Sequence, residues 1–253
     1  MYNLEREDKI INILKKQNSI SVLELSQLLF VSTSTIRRDL TNMEKKGLVT
    51  RTFGGVYLTK NTFNKETPFK YREESNVIEK RKLCQKVLPF IKDNMSLFLD
   101  SSTTVLQLVN YLNNFKNLTI ITNGFEITNE ILNNTKHEVI LTGGIIQSNS
   151  NSLLGTITNT TLSNLHADLA IMSATGIDLH FGISESTLDQ SEAKKIMNKN
   201  SDMCIYLLDN TKFNKKGINK TLDIKEVDII ITNKLPENDF LKYFKQNNIN
   251  IIY

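Results

Sequence analysis

The chain has 253 residues, of which 40% are hydrophobic and 23% are charged, values typical of a soluble globular protein with one or two domains. No apolar run approaches the ~20 residues needed to span a bilayer, and the N-terminus is too acidic and polar for a signal peptide. A cytoplasmic protein without a membrane segment is therefore expected. The first 60 residues hold ten Lys or Arg and six Asp or Glu, which accounts for the whole net charge of +4. Such a basic segment favours contact with nucleic-acid phosphates.

The cysteines and histidines predict neither a metal site nor a cofactor. Cys84 and Cys204 lie far apart in apolar surroundings, and His137, His166 and His180 form no cluster with them. Because no metal-ligand spacing is present, we expect two reduced thiols in the core.

Residues 5–45 predict three helices, the last two joined by a tight turn. Apolar residues recur at helical spacing over 5–16 and over 22–29, and Ser21 is a good N-terminal cap for the second helix. Ser32 caps the third helix, which ends before Gly47. The positions assigned to the core are Ile10, Ile13, Leu14, Val22, Leu25, Leu28, Leu29, Ile36, Leu40 and Met43.

The third helix has a second face, opposite its apolar one. At about 100° per residue, this face carries Ser34, Arg38, Thr41 and Lys45, with Arg37 beside them. Most basic helix faces are only solvated, but here a short helix precedes through a tight turn. This is the helix-turn-helix pattern, whose second helix enters the major groove of DNA.

A hairpin is predicted directly after the third helix. Two β-prone runs flank a Gly-Gly turn, and a hairpin in this position is a wing whose Arg51 can reach phosphates. The residues predicted to contact DNA are Thr33, Ser34, Thr35, Arg37, Arg38, Thr41, Lys45, Arg51, Gly54 and Gly55.

The rest of the chain predicts an α/β domain. Residues 59–75 are polar and are assigned as a linker between a DNA-binding domain over 1–58 and a larger domain over 76–253. A helix over 77–91 follows, with Lys80 placed on its exposed face. Short apolar runs then alternate with helices, which predicts a mostly parallel sheet. These runs are 96–100, 118–122, 139–142, 169–173, 203–208, 227–232 and 249–252.

Small polar residues follow three neighbouring strands, at 100–104, 122–124 and 142–144. Ligands of open α/β sheets bind beyond the carboxyl ends of the strands, and free amides at a helix N-terminus bind anions. Each end alone also fits ordinary capping or turns, but together they predict a pocket for a small polar anion. The candidate effector-binding residues are Asp100, Ser101, Ser102, Thr103, Thr104, Thr122, Asn123, Gly124, Gly143, Gly144, Thr175, Gly176, Asp178, Lys194 and Lys212. The two lysines also fit a solvated surface.

The N-terminal motifs resemble those of the DeoR-type bacterial transcription regulators. The pattern Ser-x-x-Thr-Ile-Arg-Arg-Asp-Leu begins at Ser32, and Arg51-x-x-Gly-Gly follows it, with Phe53 where the family usually has His. Residues from about 76 onward resemble the effector domain of the same family, which is similar to ribose-5-phosphate isomerase. The resemblance assigns 100–104 to a phosphate loop, 173–178 to the segment that carries the catalytic acids of the isomerases, and 209–212 to a second phosphate-side segment.

The resemblance implies a sequence-specific transcriptional regulator, a repressor of sugar or related carbon metabolism genes. Its implied partners are a double-stranded DNA operator, a phosphorylated sugar or similar metabolite, and further copies of the chain in a dimer or tetramer. Ser102 stands where the family usually has Gly, so a loop that needs positive φ would be strained. A constitutive regulator with a decayed pocket is therefore one alternative.

A sugar-phosphate enzyme fused to a DNA-binding module is the other alternative. The isomerases carry two close acids in the segment that matches 173–178, and of these only Asp178 remains. Because isomerisation needs a positioned base and further groups around the carbonyl, catalysis is not expected.

Overall fold

The computed structural model describes residues 3–17, 19–52, 55–58 and 67–253. The chain divides into two units, residues 1–75 and 76–253. Phe53, Gly54 and the part of the predicted linker over 59–66 lie outside the described residues.

The first unit consists of helices and one hairpin. The helices are α1 (Asn3–Lys16), α2 (Val22–Leu29), α3 (Thr33–Lys45) and α4 (Phe69–Glu74), and the strands are β1 (Val49–Thr52) and β2 (Gly55–Leu58). The strands pair antiparallel, as predicted for the wing. Both predicted caps are confirmed, since the Ser21 hydroxyl accepts the amide of Glu24 and the Ser32 hydroxyl accepts the amide of Thr35 at 3.3 Å.

One apolar core holds the first unit together. The fully or almost fully buried residues include Ile10, Leu14, Leu25, Ile36, Leu40, Met43, Leu48 and Val56. The assignment of Leu28 to this core was wrong, because its side chain is 53% exposed. The helix α2 packs on this core through Val22, Leu25 and Leu29. Viewed along the helix axis, Val22 and Leu29 lie on one side of Leu25, and Leu28 lies about 60° away on the other side.

Part of the predicted linker belongs to the first unit. Residues 67–75 contain α4, and Tyr71 of this helix is buried in the core of that unit. The sequence did not predict this helix because it is mostly polar, with Phe69 and Tyr71 as its only large apolar residues.

The second unit is built on a seven-stranded parallel sheet, in the order β14-β13-β11-β8-β3-β4-β5. All seven predicted strands are found in it. The strands of the unit are β3 (Ser96–Leu99), β4 (Thr119–Thr122), β5 (Glu138–Leu141), β6 (Ile145–Gln147), β7 (Ser152–Leu154), β8 (Leu169–Met172), β9 (Gly176–Asp178), β10 (Gly182–Glu185), β11 (Cys204–Leu207), β12 (Asn219–Leu222), β13 (Ile229–Ile231) and β14 (Asn250–Ile252).

Helices cover the parallel sheet. They are α5 (Val77–Val87), α6 (Thr103–Leu106), α7 (Val109–Leu112), α8 (Phe125–Asn134), α9 (Thr156–Ser163), α10 (Leu188–Lys199) and α11 (Asn238–Gln246), with 3₁₀ turns at Leu88–Phe90, Asn210–Lys212 and Ile224–Glu226. Phe98, Met172 and Tyr206 lie in the core on the sheet and are fully buried. Cys84 and Cys204 are buried and unpaired, as predicted.

Two small antiparallel sheets were not predicted. The first is the hairpin β6–β7, and the second has the order β12-β10-β9. Their strands are three or four residues long, too short for an alternating pattern to be recognised. The predicted fold class is confirmed as an N-terminal winged helix-turn-helix followed by an α/β domain with a parallel sheet.

Candidate functional site

The helix α3 presents a basic face to solvent. Ile36, Leu40 and Met43 are fully buried on its other face. Arg37 and Arg38 are exposed, and neither pairs with another side chain within the described parts of the chain. Two cations on a helix fixed by a buried face can contact phosphates and base edges.

Hydroxyl groups at the start of α3 accompany these cations. Ser32 lies within 2.9 Å of the hydroxyls of both Ser34 and Thr35, and its own hydroxyl caps the helix. Thr33 is half-buried, and Lys45 is exposed in the last turn. Three of the predicted DNA-binding hydroxyls, those of Thr33, Ser34 and Thr35, thus lie at the N-terminal end of α3, and that of Thr41 lies further along the helix.

Arg51 connects the hairpin with α3. Its guanidinium donates to the Thr41 hydroxyl at 2.7 Å and pairs with the Glu44 carboxylate at 3.0 Å. Gly55 begins β2, where its backbone lies against the carbonyl of Ile20. The arrangement orients Arg51 beside the basic face, although Glu44 neutralises part of its charge.

A buried ion pair ties α3 to α1. Arg6 donates to both carboxylate oxygens of Asp39, at 2.7 and 3.0 Å. The Asp39 side chain is 1% exposed and that of Arg6 is 9% exposed. The hydrogen bond to Asp39 raises the pKa of Arg6 further, against the effect of burial. Asp39 therefore positions the basic helix from its buried side, a role that the sequence pattern did not reveal.

In the second unit, Asp100 is the centre of the predicted site. It follows β3, is almost fully buried, and accepts the amide of Ser102 at 3.0 Å with one oxygen. Its other oxygen accepts the amide of Ser173, which follows the neighbouring strand β8, at 2.9 Å. One carboxylate thus joins the ends of two adjacent strands.

Lys194 of α10 completes a charge cluster with Asp100 and Glu185. Its ammonium lies 3.0 Å from Asp100 and 2.5 Å from Glu185, and it donates to the Ser173 carbonyl at 2.7 Å. All three side chains are 6% exposed or less. Burial opposes the charge on Lys194, but the two carboxylates outweigh it and hold the pKa of Lys194 above its usual range. Thr175 joins the cluster by donating to Glu185 at 2.9 Å.

The hydroxyl loop over 100–104 contains no strained residue. Ser102 has φ −74° and caps the short helix α6 by accepting the amide of Val105. A loop of this geometry needs no glycine, so the condition under which Ser102 would be strained is not met. Ser101 and Thr104 are buried in the loop, and Ser102 is half-buried.

Lys80 of α5 reaches this loop. It is buried rather than exposed, and its ammonium donates to the Thr103 hydroxyl at 3.0 Å. The prediction of an exposed Lys80 was therefore wrong. The sequence spacing indicated burial, because Lys80 lies three residues before the buried Leu83 and four before the buried Cys84. This spacing places Lys80 on the apolar face of the helix.

The end of β4 lies beside the same loop. A Cβ placed on Gly124 would lie 3.1 Å from Cα of Ser101, and the Thr122 hydroxyl accepts the amide of Gly124 at 3.0 Å. Asn123 donates its side-chain amide to the carbonyl of Leu153 at 3.2 Å. Its side-chain oxygen is buried and has no hydrogen-bond partner among the described residues, so it can accept from a ligand hydroxyl.

A polar wall not predicted from the sequence adjoins the end of β4. Ser152 pairs with Gly124 by an isolated bridge. Its hydroxyl lies 2.6 Å from that of Ser150 and accepts the side-chain amide of Gln190 at 3.0 Å. The first turn of α10 and the hairpin β6–β7 therefore meet next to the predicted site.

The end of β5 lies at the same edge of the sheet but carries a different role. Gly144 has φ 118°, and a Cβ on it would meet the Thr158 hydroxyl at 2.3 Å. Thr158 donates to the carbonyl of Gly143 at 2.7 Å. These glycines allow the chain to turn tightly against α9.

Three predicted residues lie apart from the charge cluster. Asp178 lies in the β9–β10 hairpin, where its carboxylate accepts the amides of His180 and Phe181. Burial acts against it, but these amides and Lys216 hold the pKa of Asp178 below its usual value. The backbone of Gly176 packs against that of Lys215. Lys212 is half-buried and follows β11, which lies two strands from β3 in the sheet. Lys212 and Asp100 therefore both follow strands that end at the carboxyl-terminal edge of the sheet.

Glu185 is the acidic residue that the sequence analysis missed. It ends β10, in which all four residues are buried. A carboxylate in a buried strand needs a partner, and that signal was available once the strand was recognised. Within the described ranges, no group of three or more His, Cys, Asp or Glu residues is placed to hold a metal ion, and no helix there is long and apolar enough to cross a membrane.

Comparisons with known proteins give one family for both units. Residues 6–62 match the DeoR-like helix-turn-helix domain, and residues 75–234 match the DeoR C terminal sensor domain. The HTH-type transcriptional regulator GolR of Listeria innocua serovar 6a is 36% identical over 96% of this chain and 96% of its own. The glycerol-3-phosphate regulon repressor of Escherichia coli (strain K12) is 28% identical over 99% of both chains. Ribose 5-phosphate isomerase A from Methanocaldococcus jannaschii aligns with a TM-score of 0.41 over 55% of both chains, at 16% identity.

Proposed function

The chain belongs to the DeoR family of transcriptional regulators, and on this basis we propose that it represses genes of sugar or related carbon metabolism. The first unit binds a double-stranded DNA operator in the cytoplasm. The second unit binds a phosphorylated sugar or similar metabolite and releases or remodels the complex. The name of the glycerol-3-phosphate regulon repressor supports a small phosphorylated effector.

The observation that carries the DNA-binding part is the pair of exposed arginines on α3. Arg37 and Arg38 project from a helix whose opposite face is fully buried, so their direction is fixed by the core. Arginine recognises guanine edges and phosphates through two parallel hydrogen bonds. The hydroxyls of Ser34 and Thr35 add donors for phosphates.

The effector part is supported by the chemistry around the charge cluster. Asn123 offers its free side-chain oxygen to a sugar hydroxyl, whereas Asp100 and Glu185, which are buried and already paired with Lys194, hold the strand ends in place. The hydroxyl loop with Lys80, and Lys212 on the same sheet edge, supply donors for a phosphate. An acceptor together with these donors fits a phosphorylated polyol or sugar.

Regulation requires two states with different affinities for the effector. One recognition helix contacts few base pairs, so a useful specificity needs at least two copies on a repeated site. We place effector binding and assembly as a dimer or tetramer in residues 76–253. The effector then changes the spacing of the paired DNA-binding units.

Neither alternative gains support. The decayed pocket rested on strain at Ser102, whose φ is negative. The enzyme rested on Asp178, whose carboxylate is held by the amides of its own hairpin. Catalysis is therefore not part of the proposal, and turnover of a pentose or hexose phosphate that is abolished by Asp178→Asn would overturn it.

A mobility-shift titration tests the proposal. The DNA is the region upstream of the gene for this chain, at fixed salt, with and without a panel of sugar phosphates. We expect a specific shift that one class of phosphorylated compound releases. Absence of a specific shift would contradict the DNA-binding part, and a shift that no compound changes would contradict the effector part.

Arg38→Ala should weaken operator binding by about 1–3 kcal/mol, a factor of roughly 5 to 150 in Kd. The reason is the loss of a bidentate contact to a base edge or a phosphate. The measurement is a titration at two salt concentrations, and Lys245→Ala, which removes an exposed cation from α11, serves as the control. Equal affinities of the Arg38 variant and the control would mean that the basic face is only solvated.

Lys212→Ala should weaken effector binding by about tenfold or more, because a charge-assisted hydrogen bond contributes roughly 1.5–3 kcal/mol. Operator binding without effector should stay unchanged. Calorimetric titration with the releasing compound measures the first effect, and the mobility shift measures the second. Lys199→Ala, at the exposed end of α10, should behave as wild type. An unchanged effector Kd would remove Lys212 from the phosphate site.

A further inference from the structure

One segment of the second unit is free of charged side chains. Residues 139–167 contain no Asp, Glu, Lys or Arg, whereas 23% of the whole chain is charged. The segment comprises the end of β5, the hairpin β6–β7 and α9. Surfaces that face only water normally carry charges, so this segment calls for a different explanation.

Much of this segment lies at the surface. All three residues of β6 are exposed. The large apolar side chains of the segment that are exposed are those of Ile145, Ile146 and Ile157, with exposed fractions of 66%, 61% and 63%. About twenty residues of the segment keep some exposure, which is the number that a stable interface uses on each side. We call this exposed part of residues 139–167 the neutral patch.

Apolar side chains of the neutral patch lie near glycines on either side of the hairpin β6–β7. A Cβ on Gly143 would lie 3.5 Å from Ile157, and one on Gly155 would lie 3.9 Å from Ile145. Thr161 fixes α9 to the end of β5 by donating to the carbonyl of Thr142 at 2.9 Å. The hairpin and the helix therefore form one surface rather than two separate ones.

The sheet edge adds to this surface. The strand β5 is at one end of the seven-stranded order and pairs only with β4 among the described strands. Its residues Val139 to Leu141 are apolar and only half-buried. Edge strands of monomeric proteins are usually protected by charges or proline, and after Glu138 this edge has neither.

The absence of charge indicates which kind of partner binds the neutral patch. DNA or another polyanion would need cations, and a strongly charged partner would need opposite charges. A second copy of the same chain needs a surface that can face itself, and a surface without charges does so without repulsion between like charges. The cores of protein interfaces are likewise depleted of charged residues.

We propose that the neutral patch is the interface between two copies of this chain, related by a two-fold axis. This interface rests on the proposed function, because a regulator of this kind needs two paired DNA-binding units. The patch includes Gly143 and Gly144 at the end of β5, and Ser152 of the same segment bridges to Gly124 beside the hydroxyl loop. The interface and the effector site therefore share backbone, so an effector can change the geometry of the pair.

The test is the assembled mass of the full-length chain, measured by sedimentation and light scattering over a range of concentrations. Wild type should assemble. Ile145→Glu with Ile157→Glu should raise the dissociation constant of the pair by at least about 100-fold, because like charges then face each other. Both side chains are about two-thirds exposed, so folding should persist, as circular dichroism will show.

The matched control is Ile218→Glu with Leu235→Glu, two apolar side chains that are 62% and 54% exposed outside the patch. It should assemble as wild type does. A mixture of the Glu variant with Ile145→Lys plus Ile157→Lys should restore the pair, because opposite charges then meet. A monomeric wild type, an unchanged Glu variant, or equal loss in the control would each overturn the proposal.

Binding of a single DNA half-site separates this proposal from the proposed function. The dissociated Glu variant should bind one half-site as wild type does. If wild type assembles through the neutral patch but binds no operator, the interface stands and the regulatory function fails. If wild type and the Glu variant have the same assembled mass and bind operator with the same affinity, the proposed interface is wrong and the regulatory function stands.

Discussion

Lys194→Met should lower the free energy of unfolding of the second unit by about 3–5 kcal/mol. The substitution keeps most of the side-chain volume but leaves Asp100 and Glu185 buried without their cation. Urea denaturation of the full chain, followed by hydrogen exchange in β3 and α10, measures the loss for this unit alone.

The adjacent lysine provides the control for this prediction. Lys195 pairs with Glu192 at 2.8 Å on the same helix, but both side chains are about 40% exposed. Lys195→Met should therefore change the stability by less than about 1 kcal/mol. Similar losses for the two variants would show that the charge cluster has no special role in stability.

Asp39→Ala should destabilise the first unit by about 3–5 kcal/mol and abolish operator binding. The change removes the carboxylate that neutralises Arg6 in the interior and leaves a cavity between α1 and α3. Hydrogen exchange in peptides from these two helices measures the stability, and the mobility shift measures binding. Since the second unit has its own core, its exchange should not change.

Two further variants show whether charge or packing causes this effect. Arg6→Met with Asp39→Leu removes both charges and should recover most of the stability, as is common for buried ion pairs. Glu44→Ala breaks the exposed pair with Arg51 on the same helix and should cost less than about 1 kcal/mol. If Asp39→Ala is as mild as Glu44→Ala, the buried pair does not position α3.

Both predictions concern ion pairs that lie behind a binding surface. Arg6 and Asp39 hold the basic face of α3 from its buried side. Lys194 holds together residues from three different elements at the strand ends. In each unit, buried opposite charges therefore position groups that we propose to contact DNA or effector.

The sequence alone determined the elements whose signals are local. The caps Ser21 and Ser32, the apolar spacing of α3 and the seven strands of the parallel sheet were all predicted. Capping needs residues three apart, and periodicity needs one helix or strand. The carboxyl ends of parallel strands meet at one edge, so the hydroxyl loop and the end of β4 were also placed correctly beside each other.

Only the tertiary structure decided which charged residues meet. Arg6 is 33 residues from Asp39 and Lys80 is 23 from Thr103, and no local pattern encodes such pairs. Asp178 was chosen for its segment, but the hairpin turn uses its carboxylate, while Glu185 reaches the cluster from the end of an unrecognised strand. The reason is physical: a buried charge is stabilised by whichever opposite charge the packing of the elements brings within about 3 Å, and that packing is a property of the whole fold.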